Sequence, residues 1–387
     1  MMPSVAMNAG VALLLALGAS RTALPVHAQS TRTSTVRSTN PDSLTAAEFG
    51  ALVLRLSAPG GYFDTDNLIS NESSYLHPLT ILDGLGTRGG AYVGVGPDQN
   101  FSYMARVRPN IAFIVDIRRD NLLQHLLLKA LFELSHNRAE YLARWLGKPL
   151  PPDISRWGFR EIEWLTTWAD SSRVTTESAN AAVRAVRERV ARLGIPLTPA
   201  ELVTIERFHR QFIAEGIALR FTSAGRAPRS YYPTLGQLIL ERDLAGNRAS
   251  YLVREADFQF LKRLQHRNRV VPVVGDIAGP KALAAIREEL RRSGERVSVL
   301  YMSNVEDYLI RDGRFPAYSA SVIALPRTDR SVLIRSWFGG PGSHAASVPG
   351  YYTTQLVQTL DSFAADNSIG QVGTYRELVR RGFVRRD

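Results

Sequence analysis

Four short runs, residues 91–95, 111–116, 270–274 and 297–302, are almost wholly apolar and rich in Val and Ile. None alternates apolar with polar, so each is expected to be covered on both faces, as the strands of a parallel sheet are. Between the third and fourth lies PKALAAIREELRRSG, where Pro280 near the start and Gly294 after the end mark a helix of crossover length. That pair reads as a βαβ unit. Two further candidates, 320–325 and 331–338, are separated only by PRTDR, which predicts an antiparallel hairpin at the sheet edge.

The second and third runs stand far apart. The intervening residues, about 120–267, carry amphipathic helical stretches around NLLQHLLLKALFEL, AAVRAVRERVARLG, PAELVTIERFHRQFIAEG and ASYLVREADFQFLKRLQ, punctuated by Pro and Gly. The expected fold class is therefore α/β, a doubly wound and mostly parallel sheet with a large helical insertion between strands 2 and 3. Upstream, T-A-A-E at Thr45 reads as a capping box that opens a helix through about Leu56. Residues 44–387 are expected to form one domain, with 61–79 as an ordered loop holding a short helix, and no internal repeat is apparent.

The amino-terminal end has a different composition. Residues 29–43 are rich in Ser, Thr and Arg and predict a flexible leader. Before them, AGVALLLALGA is too short for an ordinary membrane span. Val26 and Ala28 precede a candidate cleavage point at Gln29, so residues 1–28 resemble a secretory signal, although no Lys or Arg precedes the apolar run. Export, to the periplasm, is the expectation; a true start downstream of Met1 would leave the protein in the cytoplasm. No later segment is long and apolar enough to span a membrane.

Charge and cysteine content narrow the chemistry. The net charge of +11 comes from a chain with four Lys and forty-three Arg. The arginines are scattered and form no basic run, which argues against a nucleic-acid partner. Without cysteine there is no thiol nucleophile, thiolate metal site or disulfide. His136 and Glu140 stand at helical spacing but make no metal site alone, so no metal is expected. G-x-S-x-G and H-E-x-x-H are absent, and FGGPGSH (338–344) lacks the ending of a phosphate loop. That loop reads as a flexible connection or lid.

In open parallel sheets, ligands bind beyond the carboxyl ends of the strands, where strand order reverses. The first run feeds Gly94, Gly96, Pro97, Asp98 and Gln99, in which glycine lets a backbone approach a ligand closely. The third glycine of a dinucleotide fingerprint is replaced by Gln99. The second run ends in Asp116, about 20 residues past Gly96, the offset of a carboxylate that accepts two hydrogen bonds from a ribose diol. The plain alternative is a helix cap. The third run ends in Gly275 and Asp276, the latter suited to a base amino group. The fourth leads to Ser303, Asn304 and Glu306, of which Asn304 and Glu306 are the candidates to face a substrate, again with capping as the plain alternative. The seven histidines do not cluster near the strand ends, so no general base is evident; a methyl transfer can rest largely on positioning the two reactants.

The blocks GYFDTDNLISNESSYLH, GGAYVGVGPDQNFSY, FIVDIRRDNLLQHLLLKALFELS and VLYMSNVEDYL resemble a largely uncharacterised bacterial family with a class I S-adenosylmethionine methyltransferase-like fold. The resemblance runs from about Leu54 to the end of the sheet. It implies a seven-stranded Rossmann-like sheet with a reversed edge hairpin, with Gly94 and Gly96 under the cofactor, Asp116 at its ribose and Asp276 near its adenine. This chain departs from the usual first motif at two places. Tyr92 stands where an acidic residue is usual, and Asp98 where the third glycine is usual; Asp98 or Glu72 would then replace the missing contact to the cofactor's amino group.

Three functions remain open. The first is an S-adenosylmethionine-binding, methyltransferase-like protein that admits a small-molecule substrate under the insertion. The second is a nicotinamide oxidoreductase in which Arg118 or Arg119 meets a 2′-phosphate. The third is a catalytically inactive Rossmann-like protein that binds a ligand or partner. Export would separate the protein from cytoplasmic S-adenosylmethionine, which weighs against turnover rather than against the architecture.

Overall fold

Strand β1 (Ala91–Gly94) stands inside a six-stranded sheet in which every residue of β1 and of its neighbour β4 (Val297–Tyr301) is buried. The computed structural model describes residues 43–65, 67–223 and 229–385, so the expected signal at 1–28 and almost all of the expected leader lie outside the described residues. The remaining strands are β2 (Ile111–Asp116), β3 (Val270–Val274), β5 (Arg327–Trp337) and β6 (Thr354–Thr359). Their order is β3-β2-β1-β4-β5-β6. All neighbours run parallel except β5 and β6. The chain winds outward from β1 to β3 and then returns to β4 on the other side of β1. The order therefore reverses between β1 and β4.

Thirteen of the fifteen α-helices among the described residues follow the first strand or fill the span before the third. Helices α1 (Ala46–Leu56) and α2 (Pro78–Gly84) precede β1, and α3 (Gln99–Val107) joins β1 to β2. The expected capping box on α1 is present, with Thr45 and Glu48 exchanging hydrogen bonds. Seven helices lie between β2 and β3: α4 (Arg119–Leu134), α5 (Arg138–Trp145), α6 (Ile162–Ser171), α7 (Thr176–Val190), α8 (Pro199–Glu215), α9 (Leu235–Ile239) and α10 (Glu255–His266). Helix α4 is buried almost all round, as a helix must be when others pack on every side. Even its Lys129 is buried, paired with Glu133 at 2.9 Å. An aromatic cluster of Phe101, Phe132, Tyr141, Tyr251 and Phe258 ties α3, α4, α5 and α10 together.

After β3 come α11 (Ala282–Ser293), α12 (Val305–Arg311) and α13 (Phe315–Ile323), and after β6 come α14 (Leu360–Ala365) and α15 (Tyr375–Leu378). Here two expectations are corrected. Residues 320–325, read as a strand, form the end of α13 and the turn after it; Phe315, Tyr318, Ser319 and Val322 are its buried face. A short apolar run has no periodicity of its own to separate helix from strand, and the helical spacing emerges only when Phe315 and Tyr318 are included. The reversed edge pair is instead β5 with β6, in register from Val332↔Thr359 to Trp337↔Thr354. The sheet has six strands among the described residues where seven were implied. Strand β3 is an edge strand, which accounts for Pro272 at its centre: proline has no amide hydrogen to offer a second neighbour.

The segment after α1 lies across the carboxyl ends of β3 and β2. The Ala58 amide donates to Val274 O and the Gly61 amide to Ile117 O, both at 2.7 Å. Farther on, Phe63 meets Tyr308 of α12 edge-on, with ring centres 5.0 Å apart. No helix among the described residues is long and apolar enough to cross a membrane.

Candidate functional site

The turn after β1 is organised by one side chain. Asn100 Nδ2 donates to the carbonyls of Val95 (2.9 Å), Gly96 (3.3 Å) and Pro97 (2.7 Å), while its Oδ1 accepts from Tyr92 OH at 2.7 Å. A Cβ on Gly94 would run into Asn100 Oδ1 and lie 2.7 Å from Tyr92 Cε1. Glycine at 94 thus makes room for the residue that holds the turn, and Tyr92 fixes that residue from below. Gly96 has a φ of +84°, which glycine adopts without steric cost. Its carbonyl also accepts from His125 Nε2 at 2.9 Å. Burial lowers the His125 pKa to about 4, so the ring is neutral at physiological pH. Because a carbonyl can only accept, Nε2 carries the proton, and the buried Nδ1 is left as an acceptor with no partner.

Gln99 and Glu72 continue the cluster toward β4. Gln99 Nε2 donates to Tyr301 OH at 3.3 Å, and its buried Oε1 has no partner. Glu72 is completely enclosed: Tyr301 OH and Gln355 Nε2 both donate to its Oε2 at 2.8 Å, and Ser303 Oγ donates to its Oε1. Burial pushes the Glu72 carboxyl up, against the pull of these hydrogen bonds. Asn304 follows at the start of α12, half-buried, its Oδ1 3.4 Å from Ser303 Oγ. Asn67, with a φ of +51°, brings its Nδ2 to 3.7 Å from where a Gly96 Cβ would stand.

Asp98 takes the opposite direction, into the helical insertion. It is buried, and Tyr251 OH donates to its Oδ2 at 3.3 Å, with Tyr141 OH 3.3 Å beyond. Burial pushes its carboxyl up from 3.8 to about 7. The folded protein therefore holds a proton that the unfolded chain releases. The stability this contributes is fully present below 3.8 and is lost as pH rises through about 7. Urea melts across that window are expected to show stability falling by up to about 1.4 kcal/mol per pH unit from this group. Asp98→Asn flattens that slope, and equal pH profiles for the two proteins would overturn the assignment.

The other carboxylates each have an internal arginine. Asp116 is gripped by Arg118 through Nε (3.1 Å), Nη2 (2.8 Å) and the backbone amide (2.8 Å), and Arg118 Nη1 also donates to Thr65 O. Asp276 pairs with Arg314 and accepts from the Ala278 amide. Glu306 lies in the core, forked onto Arg335 at 2.6 and 3.2 Å. The structure thus brings Glu72, Gln99, Ser303 and Asn304 together beside Gly94 and Gly96. Asp98, Asp116, Asp276 and Glu306 each stand apart with their own partner.

Sequence reasoning passed over Asn67, Asn100, His125, Tyr251, Tyr301 and Gln355. Asn100 carried a signal, as the last polar residue of the turn; the others approach from elements distant along the chain. His136 is exposed and bonded to Glu140, which also holds Arg144. The loop 338–344 folds back onto β5, with Trp337 Nε1 donating to Ser343 Oγ at 2.7 Å. An open depression of about 330 Å³ between α5 and α7 is lined by Arg144, Lys148 and Ser178. Its two cations are already bonded to Glu140 and to Ser172 O. Among the described residues no group of three or more His, Cys, Asp or Glu side chains is placed to hold a metal.

The family described as a domain of unknown function (DUF7790) matches residues 68–150 and 212–378. Those two stretches contain Glu72, the β1 turn, Asp98 with Tyr251, and Ser303, and they leave out α6 and α7. No curated protein matches the chain.

Proposed function

The chain belongs to the family described as a domain of unknown function (DUF7790), and since membership brings no assigned chemistry, we propose from the site itself that the protein binds a small polar ligand of the nucleoside type. The ligand lies at the carboxyl ends of β1 and β4, and S-adenosylmethionine is the first to test. One observation carries this reading: strand order reverses between β1 and β4, and the polar groups of Gln99, Ser303 and Asn304 gather there around a close-approach glycine, with Gln99 Oε1 unpartnered. Gly94 and Gly96 would lie under the ligand and Asn304 beside it. A ribose diol reaches Asp116 only when Arg118 releases it.

Methyl transfer is the second reading. The strand order and the reversed β6 at the edge favour a methyltransferase-like scaffold. S-adenosylmethionine would supply an electrophilic methyl group, and the chain's part would be to orient it. Against turnover stand Tyr92, which is committed to Asn100, and Asp98, which faces Tyr251. The nicotinamide reading is weaker, because Arg118 is spent on Asp116 and Arg119 on Glu201 at 2.7 Å.

Thermal melts with S-adenosylmethionine, S-adenosylhomocysteine, NAD and NADP test the proposal. The first two are expected to raise the midpoint by a few degrees at saturating concentration, as a ligand at about 100 times its Kd adds about 2.7 kcal/mol. Gly96→Trp is expected to abolish the shift, whereas Asp116→Ala, which removes the partner of Arg118, tests whether that carboxylate is released to the ligand. Absence of a shift with all four ligands overturns the binding reading. Loss of a labelled methyl group from the bound donor to an acceptor in cell extract would promote the second.

A further inference from the structure

Ser303 sits where β4 turns into α12, and its backbone is left-handed, with a φ of +50°. Residues other than glycine rarely adopt that region, because Cβ then crowds the following carbonyl oxygen. The turn is held from several sides: the Met302 amide donates to Ile334 O, the Val305 amide to Met302 O, and the Ser336 amide to Ser303 O at 2.7 Å. A sharp strand-to-helix turn with the chain in this conformation projects its side chain away from both elements. Ser303 is only half-buried.

The hydroxyl at that position faces a carboxylate with one oxygen to spare. Tyr301 OH and Gln355 Nε2 both donate to Glu72 Oε2, which leaves Oε1 to accept from Ser303 Oγ. Gln355 is itself fixed, its Oε1 accepting from Ser336 Oγ at 3.0 Å. A nucleophile, a base within reach of its proton, and groups that orient the base are the three parts that activate a serine. The ligand-binding reading uses Ser303 only as a polar contact beside the glycine and gives the Glu72 carboxylate no part.

We propose that Ser303 is a nucleophile that accepts an acyl group from a small ester or thioester, with Glu72 as its general base. Ser303 Oγ attacks the carbonyl carbon and its proton passes to Glu72 Oε1. The bond from that carbon to the leaving oxygen or sulfur breaks, and Glu72 returns the proton to the departing group. Water then attacks the acyl-serine, gives a proton to Glu72, and Glu72 restores it to Oγ. The sum is ester or thioester and water to acid and alcohol or thiol. Tyr301 and Gln355 are positioning residues, and the Asn304 amide adjoins the reacting oxygen. Burial holds the Glu72 pKa above the usual carboxylate range, which makes its ionised form a stronger base.

The probe is diisopropyl fluorophosphate on the full chain, with peptide mapping by mass spectrometry. Its reaction forms an Oγ–P bond, expels fluoride and leaves the proton on Glu72. The expected result is an adduct on Ser303, absent in Ser303→Ala and formed about 100-fold or more slowly in Glu72→Gln. The rate should rise with pH through an inflection above the ordinary Glu value of 4.5. Tyr301→Phe removes a hydrogen bond that stabilises the carboxylate, so it should move that inflection upward, a shift that a merely structural role would not produce. If Glu72→Gln fails to fold, the wild-type pH profile and Tyr301→Phe still decide. No adduct on Ser303 in the folded wild type, or a rate indifferent to pH and to Tyr301→Phe, overturns the proposal.

Discussion

Glu306→Ala is expected to lower the free energy of unfolding by about 3–5 kcal/mol, read as a fall in the urea midpoint. Glu306 and Arg335 are 0 % and 1 % exposed, and the guanidinium gives two bonds to the carboxylate and a third to Gln358 Oε1 at 2.7 Å. Removing the acid leaves a buried cation with one partner instead of two. Replacing both by methionine should recover most of the loss, since an apolar pair of similar volume carries no desolvation cost. A change below about 1 kcal/mol in Glu306→Ala would return this residue to the role of facing a substrate, which its place after β4 suggests and its burial opposes.

Asn100→Asp should cost a comparable amount, about 3 kcal/mol or more, with almost no change of shape. The native amide points its NH₂ at three carbonyl oxygens. An aspartate would aim an anion at them, and the loss should shrink in acid, where the protonated acid regains one donor. Gly94→Ala reaches the same group by a different route, pressing a methyl into Asn100 Oδ1 and Tyr92. Overpacking of that kind costs about 1–3 kcal/mol. Denaturant melts of the two variants check the assignment. If Asn100→Asp is tolerated at neutral pH, the turn is not held by Asn100.

How far the sequence could be read depended on the range of the interactions. Strands β1 to β4 lie within one residue of the expected runs, because two-sided burial writes itself as a local run of Val and Ile. The capping box at Thr45 and the crossover helix before β4 are also local signals. Strand β6 is TQLVQT, four of its six residues carrying a hydroxyl or an amide. Its buried Gln355 and Gln358 are satisfied by Glu72 and Arg335, which no local pattern reveals.

The site divides in the same way. The sequence placed Gly94, Gly96, Asp98, Gln99, Asp116, Asp276, Asn304 and Glu306 at or after strand ends, since topology and spacing determine position along an element. Which way each carboxylate is answered was decided only by the tertiary structure. Arg118 is two residues from Asp116, but Arg314 is 38 from Asp276, Arg335 is 29 from Glu306, and Tyr251 is 153 from Asp98. A buried charge must find a partner wherever the fold supplies one. The sequence by itself determined a mostly parallel α/β sheet with a helical insertion and the polar residues along its carboxyl edge. Only the fold decided which of them are consumed by arginines in the scaffold and which stand together around Glu72 and Ser303 as a candidate site.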